Sequence, residues 1–104
     1  MAFDRIASLR ALIAKAPQDP FPRYGLAMEL KSRGELEASA TAFDELIAAF
    51  PDYVPSYLMA GGVATQLGRK DQARALYSRG IEVATERGDS HARGELQSAL
   101  AEAA

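Results

Sequence analysis

Three stretches of this 104-residue chain carry residue types that serve chemistry in other proteins. The first is LMAGGVATQLGRK, Leu58 to Lys70, where Gly61, Gly62 and Gly68 precede Arg69 and Lys70. Glycines ahead of a lysine suggest a loop that cradles phosphate with its backbone N–H groups. The Walker pattern needs Gly, four residues, then Gly-Lys-Ser/Thr, after a strand. Here five residues separate Gly62 from Gly68, Arg69 takes the lysine position, and Asp71 follows Lys70 where a hydroxyl belongs. No strand-like alternation comes before it, so the stretch is not read as a nucleotide site. The second is HARGE, with the single histidine, His91, and Glu95 one helical turn later. Zinc takes at least three protein ligands, and no third stands nearby; an exposed or capping histidine is the expectation. The third is the pair Asp44-Glu45. Neighbours on a helix diverge by about 100° and do not converge on a substrate. With no cysteine, thiolate chemistry and disulfides are excluded. The expectation is therefore a non-enzyme, with no catalytic, metal or cofactor-binding residues and no cofactor.

The elements that hold these residues repeat. Gly34 and Gly68 stand 34 residues apart, and so do Pro17 and Pro51. The same step pairs Ala27 with Gly61, Phe43 with Tyr77, and Ile47 with Ile81. Leu12-Ile13 precedes Pro17 as Leu46-Ile47 precedes Pro51. A fixed period of this length marks an array of supersecondary units, each burying its apolar face on its neighbours. One domain, 1–104, is expected, with a half unit at 1–19, whole units at 20–53 and 54–87, and a C-terminal cap at 88–104.

Each whole unit reads as two helices. In the first, Tyr24, Met28 and Lys31 share one face and Leu26 and Leu30 another, which is helical spacing and not strand alternation. Pro22 suits a first turn, and Gly34 suits a left-handed stop. The second helix runs from about Leu36 to Phe50 with a stripe of Phe43, Leu46, Ile47 and Phe50, and Pro51 ends it. The second unit repeats the plan over about Pro55 to Leu67 and Lys70 to Glu86, with a turn at Gly68. The tail opens with Asp89 or Ser90 as a cap and carries Ala92, Leu96, Leu100 and Ala103 as its stripe. Six helices result, the first and last acting as caps.

Charge narrows the partners. Twelve Lys plus Arg against fourteen Asp plus Glu leave −2, which gives no global pull toward nucleic acid or an anionic membrane. Pro51 to Gly68 is nearly uncharged, but two prolines and three glycines disqualify it as a membrane span. Asp4, Arg10 and Lys15 interrupt the apolar N-terminus too often for a targeting peptide, and a cytoplasmic setting is expected. The period aligns Glu35 with Arg69, Glu45 with Arg79, and Arg10 with Asp44. Such charges on neighbouring helices are expected to pair across the outer face, at about 0–1 kcal/mol each.

A 34-residue helix–turn–helix unit resembles the tetratricopeptide repeat, whose signature is W-x2-L-G-x2-Y, then A-x3-F, then P. The second unit shows Tyr57-x2-Ala60-Gly61-x2-Ala64 and Ala73-x3-Tyr77, with Thr85 where proline is usual. The first shows Arg23-x2-Leu26-Ala27-x2-Leu30, then Ser39-x3-Phe43, then Pro51. The resemblance implies an all-α, tetratricopeptide-type antiparallel helix-pair solenoid, with two full repeats flanked by single end helices, similar to small bacterial proteins of this kind. Physically, Ala27 and Gly61 are expected to leave room for the rings of Phe43 and Tyr77 on the partner helix. Gly68 is expected to make the turn. Gly62 either thins the inner wall for a ligand or is simply tolerated.

The resemblance also implies that the first helix of each repeat lines a concave groove. The matching positions are Phe21, Tyr24, Met28 and Lys31, then Leu58, Met59, Gly62 and Gln66, with Tyr53 at the junction. Apolar residues on such a face mark an interaction site, and methionines suit an adaptable one. Tyr24, Met28 and Met59 occupy places where some tetratricopeptide domains carry a Lys/Asn/Arg set for a chaperone C-terminal carboxylate, so that activity is not expected. Met59 should point away from the Phe43 and Tyr77 seam. The implied function is a protein–protein interaction module that takes an apolar or amphipathic peptide or helix. The alternative is a homo-oligomeric structural or assembly protein using the same surface. Whether the end helices fold across the groove stays open at this level.

Overall fold

Helix starts and stops follow directly from local chemistry in the computed structural model, which describes residues 4–103. The helices are α1 (Arg5–Lys15), α2 (Pro20–Ser32), α3 (Leu36–Ala49), α4 (Pro55–Gln66), α5 (Lys70–Glu86) and α6 (Ser90–Glu102). Three begin under an aspartate that accepts from a first-turn amide: Asp4 from Ala7, Asp19 from Phe21 and Asp89 from Ala92. Pro20 and Pro55 open α2 and α4, where no intrahelical donor is lost. Gly34, Gly68 and Gly88 adopt φ of 77°, 77° and 71° and end α2, α4 and α5. Each makes the same paired closure: the residue after the glycine donates back five positions, as in Glu35 N to Leu30 O at 2.9 Å, and the glycine donates back three. α3 lacks such a glycine and stops one residue before Pro51 is reached, at cap residue Phe50.

Packing is between chain neighbours. α2 pairs with α3 and α4 with α5; α1 lies on α2, and α6 lies on α5 and touches α4. The described residues extend 45 × 29 × 20 Å, the elongated outline of stacked helix pairs. The knobs and holes sit where the signature implies. Ala27 and Phe43 are fully buried together in one core cluster. At Gly61 an added Cβ would overlap the Tyr77 ring. Ser39, a small position of the first pair, is buried and donates to the Ala27 carbonyl at 2.8 Å, so its hydroxyl is satisfied at the closest point of the pair.

A second hole was not foreseen from the sequence. A Cβ on Gly80 would lie 2.6 Å from the Tyr57 Cβ and 3.0 Å from a Leu96 methyl. Gly80 thus lets α5 receive α4 and α6 at one point, and Leu96 is 1% exposed there. Tyr57, also fully buried, donates its hydroxyl to the Pro51 carbonyl and ties α4 to the loop that precedes it. Burial raises the Tyr57 phenol above its ordinary range, and Arg79 beside it works in the opposite direction.

The expected charge register is corrected. Arg69 bonds both oxygens of Glu37, at 2.6 and 2.7 Å, and not Glu35. Glu35 stands in the turn as the residue capping α3, whereas Glu37 lies inside its first helical turn. Neither Glu45–Arg79 nor Arg10–Asp44 forms an ion pair among the described residues. Instead Glu29 of α2 joins Arg5 and Arg33, each at 3.0 Å.

Close approach and free space give opposite signs for the same substitution. Gly61→Ala and Gly80→Ala are expected to lower stability by about 1–3 kcal/mol through overpacking, despite about 1 kcal/mol gained in helix propensity. Gly94→Ala in α6, where an added Cβ meets nothing within 4 Å, is expected to raise it by about 0.5–1 kcal/mol. Urea midpoints test this; a rise in all three variants would contradict the close-approach account. Leu96→Ala is expected to cost about 2–5 kcal/mol. Leu12→Ala, at a side chain 50% exposed, should cost under about 1 kcal/mol, and thermal melts of the two variants compare them directly.

Candidate functional site

Because each helix packs on its chain neighbours, the first helices of successive pairs come to lie on one side. α2 touches α4, and α4 touches α6, while α1 reaches neither α4 nor α6. Between these three helices is a hollow of about 300 Å³. Tyr24 closes it from α2, Leu58 and Met59 form its α4 side, and Ala92 and Leu96 its α6 side. Val54 and Pro55 lie at the start of α4, and Asp89, His91 and Glu95 supply the polar edge.

Local packing holds this surface in place. Tyr24 meets Phe43 edge-on at 6.2 Å between ring centres and Tyr53 at 5.7 Å. Burial, then the neighbouring Tyr53, pushes the Tyr24 phenol above its ordinary range, so it stays a neutral hydroxyl at physiological pH. Leu58 rests on the core cluster around Tyr57, and Met59 on the cluster around Phe43. Met59 is half-buried on that cluster and also faces the hollow. Helix rotation explains this, since Leu58 and Met59 straddle the line where α4 leaves the core.

Of the nine residues expected in the groove, Tyr24, Leu58 and Met59 line the hollow directly. Tyr53 stacks behind Tyr24, and Met28 is half-buried on the first core cluster. Gly62 has no atom within 4 Å of where its Cβ would be, so no packing contact demands glycine there. Phe21 is 68% exposed, Lys31 half-buried and Gln66 exposed, and none of the three lines the hollow. The α6 wall was missed. Its stripe of Ala92 and Leu96 was legible, but as a cap; the structure makes α6 a cap and a groove wall at once. Of the end helices, α6 forms one side of the hollow and α1 reaches neither α4 nor α6.

The candidate chemical residues stay apart from one another. His91 Nε2 lies 3.0 Å from Glu95 Oε1, both exposed. No group of three or more His, Cys, Asp or Glu able to hold a metal occurs among the described residues. Asp44, on α3 and outside this hollow, has its carboxyl pushed up by burial, with Arg69 opposing. No described helix is long and apolar enough to cross a membrane.

No protein-family model and no curated protein matches the chain. Solved structures do. A tetratricopeptide repeat domain protein from Salinibacter ruber, seen in solution, is 40% identical with a TM-score of 0.79, over 84% of this chain and 88% of that one. Its crystal structure gives 40% identity and a TM-score of 0.78, over 82% and 96%. A protein from Bordetella parapertussis shares the fold at a TM-score of 0.82 and 20% identity, over 98% and 89%. Paired helices on a 34-residue step, rings seated in glycine and alanine holes, and 40% identity across most of both chains lead to one conclusion: this chain belongs to the tetratricopeptide repeat family.

Proposed function

We propose that the chain is a protein-interaction module that takes an apolar or amphipathic peptide segment in the groove between α2, α4 and α6. Membership of the family supports an interaction scaffold in general. The observation that carries the finer reading is the half-exposed strip of Tyr24, Leu58 and Met59 beside an open hollow of about 300 Å³. A folded chain gains by covering such a strip, at roughly 25 cal/mol per Å² of apolar area, and peptides with apolar anchors supply that cover. Phe21, Met28, Lys31, Tyr53, Gly62 and Gln66 form the surrounding surface in this proposal. Catalysis has no part in it, nor does a cofactor.

A second reading is self-association. Two large apolar side chains, Phe21 and Leu12, stand 68% and 50% exposed outside the hollow. In this reading a second copy, and not a peptide, covers the same apolar surface. Sedimentation at rising protein concentration separates the readings, since a peptide-binding monomer keeps one sedimentation coefficient.

Met59→Glu tests the groove. Its half-buried position predicts a stability loss of about 1–2 kcal/mol with a cooperative melt retained. Capture of partners from the native host should fall to background. A folded Met59→Glu variant that captures the same proteins as wild type would remove the groove from the proposal. A variant that does not fold would show that the strip is core.

A further inference from the structure

We propose, resting on the groove reading above, that the preferred occupant is a partner-protein segment in which one large apolar side chain is flanked by Lys or Arg. The hollow's size sets the first half of this. About 300 Å³ equals roughly ten waters at about 30 Å³ each, room for one or two side chains and not for a whole helix.

Charge sets the second half. The chain carries twelve Lys and Arg, yet none lines the hollow. Its acidic groups are Asp89, the residue capping α6, and Glu95 in its second turn, with His91 between them and bonded to Glu95. Neither is paired with a lysine or arginine among the described residues, in contrast to Glu29 and Glu37, which both hold arginines. Asp89 spends Oδ1 on the Ala92 amide, and Glu95 spends Oε1 on His91. Each keeps a second oxygen for an incoming cation. Tyr24 adds a ring at the same hollow on which a cation can rest. An apolar floor with an acidic edge that holds no lysine or arginine attracts a cationic apolar segment and repels an acidic one, by complementary potential at the rim.

The test is a random dodecapeptide display library panned on the whole chain, alongside Met59→Glu and the double variant Asp89→Asn/Glu95→Gln. Asn preserves the helix cap, so the double variant removes charge and keeps α6. The expected consensus is an aromatic or aliphatic anchor next to Lys or Arg. A synthetic peptide of that consensus should bind about tenfold more weakly to the double variant and lose affinity as salt rises. A neutral or acidic consensus that is lost in Met59→Glu would overturn the charge preference and leave the groove reading standing. Peptides that do not distinguish wild type from Met59→Glu would overturn both. Self-association abolished by Met59→Glu would assign the groove to a second copy and overturn the partner proposed here.

Discussion

The stack rests on how closely two helices can approach where an aromatic ring meets a position without a side chain. Tyr77 occupies the space a Cβ of Gly61 would need, and a Cβ on Gly80 would lie 2.6 Å from the Tyr57 Cβ. These contacts set the distance between α4 and α5. Protein interiors pack like organic crystals, so a ring fitted to a hole fixes orientation as well as distance. The first pair uses the same device with alanine and Phe43, and replaces the alanine of the second pair with Ser39. The cost of mid-helix glycine is thus offset by contacts that larger residues would forbid.

Sequential packing has a geometric outcome. Each first helix meets the first helix of the next pair on one side of the array, and the hollow forms between them. Apolar residues on that side are only half covered because there is no second layer to cover them. The groove is a consequence of building with pairs of helices in one direction, and its chemistry is decided by whichever side chains rotate past the seam.

Much of this was legible in the sequence because glycine, proline and aromatic residues recur at one spacing. The glycine turns at Gly34 and Gly68, the ring-and-hole pairs and the helix extents from Leu36 onward lie within a residue of the expectation. Tyr24, Leu58 and Met59 were reached by stepping along the repeat. Gly80 was not, because its counterpart one period earlier is the bulky Leu46, so no repeat signal marks it. The α6 wall was legible only as a cap. α5 has 17 residues against 14 in α3. A shorter loop after α5 offsets that extension, so α6 starts 35 residues after α4, as α4 does after α2, and takes the place of a further first helix, with Leu96 at Gly80. Glu37 in place of Glu35 has a similar origin, since spacing alone does not tell a residue in a turn from one inside the next helix.

The attachment of α1 has a kinetic meaning. It contacts α2 alone, and Leu9 is the one buried residue it contributes, against the small surface of Gly25. α4, by contrast, meets α2, α3, α5 and α6. Opening free energies in such an array follow the number of neighbours. Amide protons of α1 are expected to exchange through a local opening that leaves the rest intact, whereas those of α4 wait for global unfolding. Stability is therefore graded along the described residues, lowest at α1 and highest at α4, the middle wall of the groove.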